Sequence, residues 1–189
     1  MRRRGCVTVA AALLAAAFGP APAASRLVLD PAASSVGFRL RATAHSVEGS
    51  FAVSAGELQL DPGARRLTGR IVVDARSGRT GNERRDRKMH EEVLESGSFP
   101  EIVFEPESYT GEWDGTGAGR IQVRGHLSLH GVRHALELPV QLTREGTSLR
   151  ATASFVVPYV EWGLVDPSVF VLRVAKSVDV TVELVARAE

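Results

Sequence analysis

Five histidines, one cysteine and a dense run of charges between Glu83 and Glu95 are the groups in this 189-residue chain whose types and spacing invite chemistry. His90-Glu91-Glu92-Val93-Leu94 begins like the zinc-protease motif, in which two histidines one helical turn apart hold the metal and the glutamate acts as base. Leu94 stands where the second histidine must be, so that chemistry fails. His126 and His130 fall on the polar parity of one strand and His134 on the apolar parity of the next. A shared metal would need His126 or His130 to turn inward, and exposed or mouth-lining imidazoles are the expectation instead. No G-x-S-x-G elbow is present, and the only cysteine, Cys6, lies in a segment expected to be removed. Gly115 to Gly119 reads G-x-G-x-G, but it lies between two strands with no helix after it, which makes it a turn rather than a dinucleotide fingerprint. Asp86 and the Glu91/Glu92 pair fall on a charge-balanced, exposed helix. No residue starts a catalytic mechanism, and neither enzyme activity, a metal nor a cofactor is expected. The cations Arg84, Arg85 and Lys88 remain. They form either a solvated face with local ion pairs or a cluster that, with helix N–H groups, meets an anionic headgroup.

Those cations need a helix to hold them, and Ser77 to Phe104 carries the only convincing helix signal. Thr80 and Glu83 are spaced for a capping box. From Glu83 to Glu95 there is no glycine or proline and only one β-branched residue, Val93. Gly97 is expected to supply the left-handed cap, and Pro100 to prevent a return to helix. Pairs at i,i+4 (Glu83–Arg87, Asp86–His90, Arg87–Glu91, Lys88–Glu92) offset a charge order that opposes the helix dipole. The apolar stripe is only Met89 and Val93, with Leu94 at its edge. Such a helix lies across something, one face down.

The rest alternates with period two. Strands are expected at Arg26–Asp30, Val36–Arg41, His45–Phe51, Glu57–Asp61, Leu67–Val73 and Glu101–Glu105, with a weaker one at Tyr109–Trp113. Further strands are expected at Ile121–Leu129, Leu136–Leu142, Thr147–Val157, Ser168–Val174 and Val178–Val185, with Pro158–Pro167 irregular. Short turns between them imply antiparallel neighbours. Eight or more such strands suit a sandwich or an up-and-down barrel. Kink-forming glycines at Gly37, Gly49, Gly56 and Gly125, and a single helix sufficient to cap one end, favour the barrel. The inward parity mixes large residues (Phe38, Leu40, Phe51, Phe104, Leu127, Leu129, Phe155) with small ones (Ala151, Ala153, Gly125). That mixture fits a solid core and fits a hollow one equally. Trp113 and Trp162 are expected in core or rim packing.

The first 23 residues read as a secretion signal: Arg2 to Arg4, an apolar run from Val7 to Phe18, then Ala21-Pro22-Ala23 as cleavage site. Residues 24–189 are then one exported, periplasmic or secreted domain without a thiol, held together by its core alone. Cys6 follows no lipobox, and no apolar run reaches the roughly 20 residues a membrane span needs. Losing Arg2 to Arg4 leaves 20 basic against 22 acidic residues, a change from +1 to −2 that gives nucleic acid no basic surface.

Thr80-Gly81-Asn82-x-x-Arg85-Asp86, Met89 three residues on, and Phe99-Pro100-x-Ile102-x-Phe104 resemble the signature of the YceI-like family, secreted bacterial proteins that bind polyisoprenoids and other lipids. Ser34-x-Val36-x-Phe38, His45-x-x-x-Gly49-x-Phe51 and Gly125-x-Leu127-x-Leu129-His130-Gly131-Val132 extend the resemblance over nearly all of residues 24–189. It implies an all-β, lipocalin-like antiparallel eight-stranded up-and-down barrel with one capping α-helix and an elongated apolar tunnel. It also implies an amphiphilic lipid ligand, a polyprenyl-type or quinone-type chain, and no catalysis general to the family. Phe38, Leu40, Phe51, Met89, Phe104, Leu127, Leu129 and Phe155 would then bind the chain, with Arg84, Arg85 and Lys88 at any headgroup. The chain departs from the family at Leu27 or Val28, where an aromatic is usual, and at Arg133, where a threonine is usual. It also has Pro158-Tyr159-Val160-Glu161-Trp162-Gly163-Leu164 in place of an R-x-D-F-G-like segment, a loop expected to line or close the tunnel mouth. A homodimer sharing one tunnel is left open, as is a ligand-free envelope or adhesion module with a packed barrel.

Overall fold

Period-two alternation gives every strand one greasy face, and a sheet of such strands hides that face by curling onto itself. The computed structural model describes residues 24–43, 45–168 and 173–189. Its strands are β1 (Ser25–Leu29), β2 (Ser35–Arg41), β3 (Ser46–Asp61), β4 (Arg66–Arg79), β5 (Glu101–Glu112), β6 (Gly117–Leu129), β7 (Val132–Glu145), β8 (Ser148–Val157) and β9 (Val178–Ala188). From β2 onward each strand pairs antiparallel with the next, and β9 returns to pair with β2. The fold is a closed eight-strand up-and-down barrel with one extra strand. The expected signal segment, residues 1–23, lies outside the described residues.

The extra strand, β1, continues the line of β2 between the same two neighbours. Leu27 stands opposite Leu58 and Ala188, and Phe38 opposite Gly49 and Val180. A 3₁₀ turn at Pro31–Ala33 separates the pieces, and the Asp30 carboxylate accepts hydrogen bonds from the Ala32 and Ala33 N–H groups. One stave is thus broken without leaving an open edge, the feature that barrels exist to remove.

Two expected strand breaks are absent. Residues 46–61 form one strand bent by register shifts between Ser50 and Ala52 and between Val53 and Ala55. Tyr109 continues β5 past a bulge between Pro106 and Ser108, placed where proline has no N–H for the ladder. Gly125 points inward but adds no room. A Cβ there would overlap the Glu105 carbonyl oxygen and sit 2.8 Å from Pro106 Cα, so the bulge fills that space. Of the strand expected at Ser168–Val174, residues 169–172 lie outside the described residues, and Val174 makes only an isolated bridge to Ala42.

Antiparallel order puts the β2–β3 turn, the helical segment, the β6–β7 turn and the β8–β9 loop at one end of the barrel. The opposite end is packed shut by Leu27, Leu60, Trp113, Leu142 and Leu149, all buried. Outside, exposed cross-strand pairs such as Arg26–Glu57 (2.7 Å) and Arg124–Glu137 (2.9 Å) decorate the wall and add little, being screened by water. No helix among the described residues is long and apolar enough to cross a membrane.

Candidate ligand-binding cavity

At the open end the backbone leaves β4, turns through Gly81 at φ 75° and enters α1 (Glu83–Lys88). The cap is Asn82 and not Thr80: the Asn82 side-chain oxygen accepts from the Arg85 N–H at 3.1 Å. Thr80 serves a different knot. Its N–H donates to Asp86 Oδ1 at 2.8 Å and its hydroxyl bonds the same oxygen. Arg85 Nε donates to Thr80 Oγ1 at 2.8 Å, and Arg85 Nη2 donates to the Thr80 carbonyl at 2.9 Å. The polar residues of T-G-N-x-x-R-D are therefore wired to one another, and they fix the helix to the end of β4.

The expected helix to Glu95 is shorter and wider. After Lys88 the chain takes a π turn, Met89–Val93, in which Leu94 N–H reaches back to the Met89 carbonyl at 2.8 Å. The left-handed residue that ends it is Glu95 at φ 44°, whereas Gly97 keeps ordinary backbone angles. A carbonyl can only accept, so His90 Nε2 carries the proton it gives to the Gly78 carbonyl (2.9 Å), and Nδ1 faces the Ser96 hydroxyl at 2.9 Å. Of the expected i,i+4 pairs, Lys88–Glu92 at 3.8 Å forms; Asp86 and His90 are engaged elsewhere. His130 donates from Nε2 to Glu95 Oε2 at 2.6 Å and packs its ring 4.2 Å from that of Phe99, which ties the β6–β7 turn to the helix exit. His126 lies 3.0 Å from Glu107, close enough to pair when charged but not aligned for a hydrogen bond. Among the described residues no three His, Cys, Asp or Glu side chains converge as a metal site would need.

The interior is not filled. A cavity of about 590 Å³ runs down the barrel, within the roughly 300–1,000 Å³ range of ligand pockets. Phe38, Leu40, Phe51 and Phe104 line it from β2, β3 and β5, Leu127, Leu129 and Phe155 from β6 and β8, and Met89 closes over it from the helical segment. Ala151 and Ala153 leave the width. Unfilled apolar space inside a core carries a cost, because its lining loses contacts that packed side chains would make. The walls offer water almost nothing to bond. An apolar guest is the occupant that removes the cost.

Polar lining is concentrated at the open end, where His45, Thr80, Asn82, Arg84, Arg85 and Lys88 edge the cavity. The structure brings the three cations together there but does not make them equivalent. Arg85 is committed to Thr80. Lys88 reaches the Pro167 carbonyl at 3.5 Å, and Arg84 is exposed with no partner among the described residues. In the six-residue α1 the Arg85 N–H goes to the Asn82 side chain and the Asp86 N–H to the Asn82 carbonyl.

Sequence reading missed a seam in the wall. β7 pairs with β6 along its whole length, but its ladder to β8 stops at Val140–Ala153, one residue short of Pro139, which has no N–H to give. The gap towards the open end is filled by the Pro158–Leu164 segment. Tyr159 and Leu164 are buried there with Leu127, Leu129 and Val157, and Trp162 stacks on His134 with ring centroids 4.0 Å apart. Tyr159 donates its hydroxyl to the Ala175 carbonyl at 2.8 Å, and burial, with the nearby Asp166 charge, pushes that phenol up to about 12. The segment expected at the tunnel mouth thus also forms part of the side wall.

A family model described as the YceI-like domain matches residues 27–186. Among solved structures, the barrel is similar to BcnA of Burkholderia cenocepacia, with a TM-score of 0.67 and 16% identity over 83% of this chain and 98% of that one. It is similar to a polyisoprenoid binding domain from Saccharophagus degradans implicated in plant cell wall breakdown, with a TM-score of 0.64 and 17% identity over 86% and 98% of the two chains. A YCEI protein of Campylobacter jejuni matches with a TM-score of 0.60 and 15% identity over 77% and 86%. At these identities the likeness is one of fold. No curated protein sequence matches the chain.

Proposed function

The chain belongs to the YceI-like domain family, and from that premise we propose that it is an exported lipid-binding protein holding a polyprenyl-type or quinone-type chain inside its barrel. The observation that supports this most is the apolar cavity of about 590 Å³ with cations only at its open end. A linear apolar chain fits a tube walled by Phe, Leu, Val and Ala, and each methylene it buries contributes about 0.8 kcal/mol. The other end of such a ligand must stay wet, and Arg84 and Lys88 stand where it emerges. Export is supported by the basic, apolar and small-residue order of residues 1–23. Binding requires no bond to be made or broken, and no catalytic step is part of this reading.

The test separates chain from head. Reversing Arg84 and Lys88 together to glutamate is expected to weaken a polyprenyl diphosphate at least tenfold, more at low salt than at high. The same variant should hold a neutral prenol or quinone analogue as the parent does. Equal affinities for the diphosphate lipid would remove these two residues from the head site. Arg85→Glu should act differently: it breaks the knot at Thr80 and lowers the unfolding midpoint as well as affinity. Failure of the parent to take up any prenyl or quinone analogue would remove the lipid reading altogether.

A further inference from the structure

Of the side chains that pack this end of the barrel shut, the largest, Trp113, is seated between two spaces. Trp113 lines the inner cavity, and it also lines a shallow polar hollow on the outside of that end, with Pro62, Arg65, Glu112 and Asp114. It is 9% exposed, a buried ring in contact with both spaces. The indole is held rather than loosely packed. Its Nε1–H donates to the Thr116 carbonyl at 2.9 Å, and Thr116 in turn donates from its N–H (2.9 Å) and hydroxyl (2.8 Å) to Asp114 Oδ1. Arg144 Nη1 donates to the Gly115 carbonyl at 3.1 Å and pins this turn to β7. The ring rests directly on the backbone of Gly119, where an added Cβ would stand 2.8 Å from Trp113 Cγ. Glycine at 119 is therefore what lets the indole occupy this position, and the hydrogen bond to Thr116 helps to fix it there.

We propose that Trp113 is the floor of the tunnel and sets the longest isoprenoid chain the protein takes. This rests on the lipid reading above. With the polar head held at the mouth by Arg84 and Lys88, the far end of the chain advances until it meets the indole. A longer chain must either fold back within a tube too narrow for it or push its head out past the cations. Affinity therefore rises with chain length, by about fourfold for each further buried methylene, until the floor is reached, and then stops rising. Removing the indole deepens the cavity towards the outer hollow.

The experiment measures affinity for a series of all-trans prenyl diphosphates and neutral prenols of increasing length, using the parent, Trp113→Ala and Trp113→Phe. The parent should show one optimum. In Trp113→Ala the optimum should move to longer chains, with at least a tenfold gain for the first chain beyond the parent's optimum. Trp113→Phe, smaller and without the Nε1–H, should move it less in the same direction. Identical length profiles in the parent and in a folded variant overturn the assignment. A second readout does not depend on those variants folding. The chain has two tryptophans, so Trp162→Phe leaves Trp113 as the only emitter. A prenyl chain brominated at its far end should quench that emission strongly, and one brominated beside the head should not. Equal quenching, or none from the far end of a bound chain, places the tail elsewhere and overturns the assignment. A parent that binds no chain of any length overturns the lipid reading instead.

Discussion

Replacing Ala153 with tryptophan should weaken lipid binding roughly a hundredfold while leaving the barrel folded. Ala153 is midway along β8, opposite Val140 on one side and Val182 on the other, and it faces the cavity. An indole there fills the waist of the tube. Strand position fixes where the ring goes, because period-two geometry keeps residue 153 inward whatever its side chain. Excluding three or four methylenes of a bound chain, at about 0.8 kcal/mol each, reduces affinity roughly a hundredfold. The ligand-free variant should unfold at the parent's temperature or above, since the ring fills void instead of crowding packed atoms. Uptake of a fluorescent polyprenyl analogue by the two proteins measures the effect. Undiminished uptake would mean that the chain does not pass this point.

The largest effect on stability is expected at Gly69. Its φ of 118° is a conformation that side chains rarely adopt, and a Cβ there would overlap the Glu57 carbonyl oxygen and stand 2.9 Å from Leu58 Cα. Both obstacles are backbone of β3, held by the Leu58–Gly69 pairing, so neither can turn aside. Gly69→Ala combines backbone strain of about 1–3 kcal/mol with a similar overpacking term. The expected loss is about 3 kcal/mol or more, a large part of a domain's net stability. Gly97→Ala is the control. It has no atom within 4 Å of the added Cβ and no left-handed backbone, so it should stay within about 0.5 kcal/mol of the parent. Denaturant midpoints of the two variants decide the matter, and a drop at Gly97 would restore it as the cap of the helical segment.

How much of this could be read from the sequence differs by element, for physical reasons. Alternation exposed the strands because side-chain period is a local property. Closure into a ring was not local: it depends on β9 meeting β2 across more than a hundred residues, and sheets that never close show the same alternation. The two-piece stave was hidden for the same reason, since only the shared neighbours of β1 and β2 reveal that they are one line. At the helix, Thr80 and Asn82 are both good capping residues, and the choice fell to Asn82 because Asp86 and Arg85 together claim Thr80. The exit went to Glu95, whose left-handed backbone follows directly on the π turn and its cap at Leu94.

The site was legible in kind but not in form. The inward residues were identifiable from parity, and all eight named for the chain line one cavity. Whether they enclose space was not, because the same mixture of Phe, Leu and Ala fills a narrow barrel and leaves a wider one open. Gly125 shows the limit: small and inward, it contributes no space because β5 bulges into it. Pro139 was readable as a residue that cannot extend a ladder, yet the seam it marks is visible only once β8 is placed beside it.

Native mass spectrometry of the protein, purified without detergent and then extracted with organic solvent, bears on the hollow barrel most directly. A species heavier than the polypeptide by the mass of one isoprenoid lipid, lost on extraction together with several degrees of thermal stability, is the expected result. Polypeptide mass alone in repeated preparations, with no uptake of polyprenyl or quinone analogues and no change in melting on extraction, would contradict it.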